Sequence, residues 1–476
     1  MGTSTIKMVL AESNDLIEKY PVPIKIYKRR WAILAIYILY SAANSFQWME
    51  YSIITSIVKR YYNVSSLAVD WTSIIYMAIY PIIVVPVSYV IDKKGLRVAA
   101  LVGGLGTALA AGVKVFSVDP HLFYVVLIGQ GIGSAAQVFI LCLPAKIAAV
   151  WFKPNEASTA CSIAVFGTQL GFALGFVFPT SVVKNHEEIN VIGSNLRRLC
   201  WGLMLYMIPV AAAIIFCEYF PPNFASSNIC YYISDFPRQP PLPPSVPQAE
   251  ARKKKPPTFN EFLNLFIRLL KKKGFVIHMV AYGINIGVFA AIGTFLNQFI
   301  LQYFPKSEED AGRMGLLMVL CGMIGSVLFG IYLDKTHHYK ETTLFIYYMS
   351  AVSVASFLVA LELKSKVMAY VTIAAVGLFT NSYMPVGFEF AVELTFPADE
   401  STTTGLLNAM TQGLGVVFTL VLGKLNQHYG PLWALGSQVA ILLVGALLTQ
   451  VVPNEKNRQV AFEKDRNRTR RSSGTQ

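Results

Sequence analysis

The sequence predicts an all-α membrane protein of twelve transmembrane helices, arranged as two related bundles of six. Three observations carry this. Of 476 residues, 54% are hydrophobic and only 14% charged, with a mean hydropathy of +0.50, whereas soluble domains average about 25% charged residues. Apolar runs of roughly 20 residues, long enough to cross the hydrocarbon core of a bilayer, recur along the chain. The two halves also repeat one another at an offset near 243 residues.

The same composition excludes a disordered polycation, which lacks such apolar content. The net charge of +13 does not indicate nucleic-acid binding, because the basic residues flank apolar runs and form no interleaved basic surface.

In chain order, a polar tail (1–30) precedes a first bundle (31–220). Its spans are expected near 31–56, 71–91, 98–117, 122–144, 157–180 and 199–219. The tail has no apolar core, so no cleavable signal peptide is expected. A Pro-rich, basic segment follows from 221, too polar to fold alone and read as a linker. Within 221–273, Phe259, Phe262, Leu263, Phe266, Leu269 and Leu270 recur at helical spacing before Lys271, Lys272 and Lys273. This pattern predicts an amphipathic helix on the membrane surface, or else an early start of the seventh span. The second bundle (274–452) has spans near 274–302, 312–333, 342–361, 368–392, 401–423 and 431–452, and a tail (453–476) ends the chain.

Orientation follows from the basic residues, which favour the cytoplasmic side. With both termini inside, the inner segments hold 29 of them and the outer loops 10. A plasma-membrane protein with cytoplasmic N- and C-termini, acting as a monomer, is expected. Asn63-Val64-Ser65 then lies outside as a usable glycosylation sequon, whereas Asn467-Arg468-Thr469 lies inside and is not used. Of six cysteines, Cys142, Cys161, Cys200, Cys217 and Cys321 fall in spans and Cys230 in the linker, so no disulfide framework is expected.

The repeat is visible in particular residues. Pro154-Asn155-Glu156-Ala157-Ser158-Thr159 answers Pro397-Ala398-Asp399-Glu400-Ser401-Thr402, and Thr168-Gln169 answers Thr411-Gln412. Asp92-Lys93-Lys94-Gly95-Leu96-Arg97 joins spans two and three, and Asp334-Lys335 closes span eight in the same manner. An acid followed by bases at a tight inner loop clasps helix ends and releases them when the halves rock. Lys146 and Glu389 occupy equivalent places in the two halves, with Glu393 one turn beyond Glu389, and are read as a gate or an interdomain charge pair.

Candidate substrate contacts come from polar and aromatic residues deep in spans. Asn44, Gln47, Trp48 and Tyr51 share a face of span one. Trp48 reads either as a cation–π wall for a small cation or as helix packing with a polar clamp. Gln137 in span four and Gln412 in span eleven are further candidates. Asn285 sits between Gly283 and Gly287, which suggests a softened or broken span seven near a site, and Pro385 is expected to interrupt span ten. Gly167, Gly171 and Gly175 of span five read as close packing. Lys114 is expected to snorkel to the outer surface, and Glu50 is a possible counter-ion for a cation. No metalloprotease, hydrolase, nucleotide-binding or metal-ligand motif occurs, so neither enzyme activity nor a bound cofactor or metal is expected.

The duplicated loop motif, twelve spans and long central inner loop resemble the major facilitator superfamily, although Ser88 stands where its motif usually has Gly. Several blocks are more specific: Asn44-Ser45-Phe46-Gln47-Trp48-Met49-Glu50-Tyr51-Ser52-Ile53-Ile54, Asp70-Trp71, Ala136-Gln137-Val138-Phe139-Ile140-Leu141, the Val386–Thr395 stretch and Gly405-Leu406-Leu407-Asn408-Ala409. They resemble the feline leukaemia virus subgroup C receptor-related transporters. That resemblance implies alternating access and uptake of choline and ethanolamine, with haem export as the competing assignment. It also implies a Trp in span one and a Tyr in span seven around the ammonium, with glutamines nearby. Trp48, Gln137 and Gln412 match; the tyrosine's place is taken by Ala290, for which Phe289 or Phe295 could compensate, neither being a residue-for-residue match.

Overall fold

The computed structural model describes residues 27–152, 154–216, 258–336, 338–395 and 400–454. Most of the linker (221–257), both tails beyond these limits, Cys217, Cys230 and Asn467 lie outside the described residues. The spans are Arg29–Met49, Ser66–Lys94, Leu96–Val115, Phe123–Leu141 continued by Leu143–Trp151, Pro154–Val182 and Ile189–Phe216 in the first half. The second half has Lys273–Tyr303, Glu308–Thr336, Tyr339–Glu362, Lys366–Thr395, Glu400–Tyr429 and Pro431–Val451. Among the described residues, eleven of these are long and apolar enough to cross a membrane. The remaining member, Arg29–Met49, is diluted by Asn44, Ser45 and Gln47 near its end, which are buried inside the protein.

Each half is a six-helix bundle, and the halves meet along spans two and eleven and along spans five and eight. A pseudo-twofold that exchanges span n with span n + 6 swaps these two contacts, as expected for an internal repeat. Glycines set how closely helices approach. A methyl group on Gly171 would lie 2.2 Å from the Ala42 carbonyl oxygen, and one on Gly167 2.9 Å from the Ile38 Cα, so span five packs backbone to backbone on span one, as its glycine spacing predicts.

Three expectations about helix continuity are corrected. Span one does not run to 56: it ends at Met49, passes through a 3-10 turn at Ser52–Ile54 and resumes as Thr55–Tyr62. Asn63 ends that short helix at φ +52°, an exposed left-handed position that Asn tolerates. Span seven is unbroken at Asn285. Gly283 and Gly287 instead admit span eleven, whose Gly415 nitrogen lies 3.2 Å from where a Gly287 Cβ would sit.

Span ten runs straight through Pro385. Proline there leaves the Asn381 carbonyl without its helical N–H donor, and the Ser326 hydroxyl of span eight, bonded to its own Gly322 carbonyl at 2.9 Å, comes within 3.4 Å of that oxygen. The break falls in span four, where Pro144 frees the Ile140 carbonyl; Tyr37 Oη donates to it at 3.1 Å and the helix restarts at Leu143.

The amphipathic helix is Phe259–Leu270, distinct from span seven. Thr258 and Glu261 form a reciprocal cap at its start, with the Thr258 N–H donating to Glu261 Oε2 at 2.8 Å; this bond holds the Glu261 carboxyl below the usual carboxylate range.

Candidate functional site

Between the halves lies a cavity of about 230 Å³, smaller than the sites that hold drug-sized ligands. The first half lines it with Trp48 and Met49 of span one, Tyr80 of span two, Gln137 of span four and Thr168, Gln169, Phe172 and Phe176 of span five. The second half contributes Tyr282, Phe289 and Ala290 of span seven, Asn381, Met384 and Phe388 of span ten, and Asn408, Thr411 and Gln412 of span eleven. Trp48, Gln137, Gln412 and Phe289, all expected from the sequence, are thus brought together. Thr168-Gln169 and Thr411-Gln412, a matched pair in the repeat, both face the cavity, so the repeat itself was a usable signal for Gln169.

Two expected residues lie elsewhere. Gln47 donates from Nε2 to the Thr107 carbonyl at 3.2 Å, inside the first bundle. Asn285 donates to Ser350 Oγ at 3.4 Å, inside the second. Neither lines the cavity.

Trp48 is held on several sides. Its ring stacks on Tyr76 at 5.6 Å with planes 10° apart and meets Phe172 edge-on at 5.2 Å. Its indole N–H donates to Ser73 Oγ at 2.8 Å. In the second half, Tyr282 stacks on Phe388 at 5.4 Å and packs on Tyr383 at 5.7 Å. Aromatic faces therefore stand on both sides, although the position equivalent to the family's span-seven tyrosine is Ala290.

Several polar atoms in this wall are idle. Both amide atoms of Gln137, Thr411 Oγ1 and Tyr282 Oη are buried and hydrogen-bond to nothing among the described residues. Buried polar groups are normally paired, and leaving one unmet costs about 1–3 kcal/mol. Amide and hydroxyl groups in an aromatic pocket suit a small ligand with a hydroxyl and a poorly hydrated cation.

Of the charged candidates, Lys146 and Asp92 pair within the first half. Lys146 forms an ion pair with Asp92 of its own half and not with Glu389, which is exposed on span ten. Asp92 and Lys146 line the cavity toward the face carrying the chain termini. Lys93 lies over the Tyr89 ring at 5.7 Å, and Gly95 takes φ +85° to turn the chain into span three, where Arg97 follows. Lys335 is exposed at the end of span eight, Asp334 sits beside it on that helix, and Glu393 accepts from Tyr339 Oη at 3.4 Å.

Lys114 does not snorkel outward. It is 1% exposed and forms an ion pair with Glu50, which is therefore no free counter-ion. Gln130 joins them, its Oε1 3.4 Å from Lys114 and its Nε2 donating to the Gln47 carbonyl at 2.9 Å. This cluster braces the chain where span one breaks, next to Trp48.

The opposite face is closed by contacts between the halves that the sequence reading did not anticipate. Ser73 Oγ lies 3.0 Å from Thr294 Oγ1, Gln298 donates to Asp70 at 2.7 Å, and Asn185 donates to Glu308 at 3.1 Å. Gly312 and Gly315 of span eight admit Thr180 and Phe176 of span five. The cavity is thus sealed from that face and approached from the face of the termini.

Two pseudo-symmetric six-helix bundles around a central cavity define the carrier class of membrane proteins. The family model described as Major Facilitator Superfamily matches residues 33–419. The chain is 39% identical over 444 residues to the choline/ethanolamine transporter flvcr2b of Danio rerio, covering 93% of this chain and 88% of that protein. It is equally 39% identical over 438 residues to the human choline/ethanolamine transporter FLVCR2, covering 92% and 80%. A solved structure of a bacterial homologue of the human lysosomal transporter Spinster shares the fold, with a TM-score of 0.65 and 13% identity over 90% of this chain and 98% of that one. The chain belongs to the major facilitator superfamily and, within it, to the FLVCR family of transporters.

Proposed function

We propose that this chain carries choline, and with it ethanolamine, into the cell by facilitated alternating access. The observation that carries the reading is the cavity wall, where Trp48 stands with the unpaired amide of Gln137 and the unpaired hydroxyl of Thr411. Trp48 holds the ammonium through its ring face, while Gln137 and Gln412 orient the hydroxyl. The relatives' names point to the same substrates. With the termini cytoplasmic, as the basic residues favour, the sealed face is extracellular and the structure is open inward. The membrane potential then assists uptake of a monovalent cation by roughly 2.3 kcal/mol per 100 mV.

The competing haem-export reading has less support. Haem carries two propionates, and the lysine lining the cavity, Lys146, is already paired with Asp92. The decisive experiment is uptake by the purified protein in liposomes, with choline, ethanolamine and haem tested in parallel. Saturable choline uptake enhanced by an inside-negative potential is expected; haem transport without choline uptake would reverse the assignment.

A further inference from the structure

The helix Phe259–Leu270 has two apolar stripes, and its partners account for one. Phe262, Phe266 and Leu269 are buried, and the first two line the cavity beside Ser88, Ile91, Asp92 and Lys146. Phe259 and Phe262 pack on Tyr89 of span two at 5.2 and 6.1 Å. The helix leads directly into span seven, where Lys272 donates to the Thr395 carbonyl at 3.1 Å. It is therefore tied to the second half by its chain end and to the first half by aromatic contact, across the mouth of the cavity.

The second stripe, Phe259, Leu263, Ile267 and Leu270, is 38–47% exposed. Arg268, Lys271, Lys272 and Lys273 cluster at the helix end, all exposed, and Arg252-Lys253-Lys254-Lys255 precede the helix in sequence. An apolar stripe bordered by cations is the pattern that seats a helix in the boundary of an anionic leaflet.

We propose that this helix is a lipid-read cover: anionic lipid grips its outer stripe and basic end, holding Phe262 and Phe266 over the cavity mouth. Lipid charge then sets how readily the mouth opens. Detaching the outer stripe frees the helix from Tyr89 and widens the entrance.

The test reads access to the cavity without any substrate, so its result stands apart from the choline reading. Cys142 and Cys161 line the cavity and serve as the target of a polar maleimide added from the termini side, with the C142A/C161A variant defining background. The full chain is reconstituted in phosphatidylcholine vesicles with and without phosphatidylserine. Labelling is expected to be several-fold slower with phosphatidylserine. L263Q/I267Q should label fast in both lipids, and K271Q/K273Q, which alters only exposed side chains, should lose the lipid effect. Equal wild-type rates in the two lipids would overturn the proposal, as would a rate set by protein density instead of lipid charge, which would assign the stripe to a second copy of the chain.

Discussion

The indole N–H of Trp48 donates to Ser73 Oγ at 2.8 Å, and the same Ser73 oxygen lies 3.0 Å from Thr294 of the other half. The ring that faces the cavity is thereby bonded to a residue that helps close the far face. Rocking the halves apart on that face must break the Ser73–Thr294 contact while Ser73 keeps its bond to Trp48.

Removing Ser73 should therefore affect uptake more than removing Thr294. A typical buried hydrogen bond contributes about 0.5–1.5 kcal/mol net, so S73A should lower choline uptake about 2–10-fold at unchanged surface expression. T294V leaves the Trp48 bond intact and should cost less. Radiolabelled uptake normalised to surface protein decides it, and equal effects would detach Trp48 from the closure.

At the cavity itself, Trp48→Ala should raise the choline KM by about 10-fold or more, with Trp48→Phe retaining part of the affinity, because a desolvated cation–π contact contributes about 2 kcal/mol. Ala290→Tyr adds the missing ring to a wall that Ala290 already lines. It should lower the KM for choline more than for ethanolamine, whose primary ammonium is more strongly hydrated. Untouched choline uptake by W48A at normal surface level would refute the site.

Which parts of this site were legible depends on what a residue's position encodes. Gln137 and Gln412 are costly deep in a span, and Trp48 lies deeper than the interface Trp prefers, so their placement marks them. Gln47 is as polar and one residue away. That single step rotates a helical side chain by about 100°, and it carries Gln47 from the cavity to the Thr107 carbonyl. Helix continuity was hidden for a related reason. Pro144 and Pro385 each free a carbonyl, yet the hydroxyls that approach them, Tyr37 at 3.1 Å and Ser326 at 3.4 Å, come from other spans, and only the fold brings those together. The repeat survived in sequence because it records pairs, and Gln169 with Gln412 shows that it recorded the cavity as well.

The Lys114–Glu50 pair predicts a stability cycle. Removing one partner of a buried pair strands the other and costs about 3–5 kcal/mol, whereas replacing both is often nearly neutral. Lys114→Met and Glu50→Gln should each lower the thermal midpoint in detergent, and the double variant should recover much of the loss. Additive losses would mean that the two side chains contribute separately.

Asn63 gives a direct reading of orientation, since it is exposed on the face opposite the termini. In cells, Asn63→Gln should increase mobility on a gel by one glycan, and glycosidase should abolish the difference. An unglycosylated wild type would remove this support for cytoplasmic termini.

The packing of spans one and five sets the sharpest steric prediction. Gly171 meets the Ala42 carbonyl carbon and Cα at 2.8 Å from a hypothetical Cβ, besides the oxygen at 2.2 Å. These are backbone atoms, so no rotamer change relieves the clash, and even Gly171→Ala must push two spans apart. Gly413 and Gly436 have open space at the same test. Surface expression of G171A should fall severely while G413A and G436A stay near wild type, because each trades backbone freedom for a methyl group that touches nothing. A G171A protein with normal expression and uptake would show that span five can withdraw from span one without cost, and the close approach would then not be what holds Trp48's helix in place.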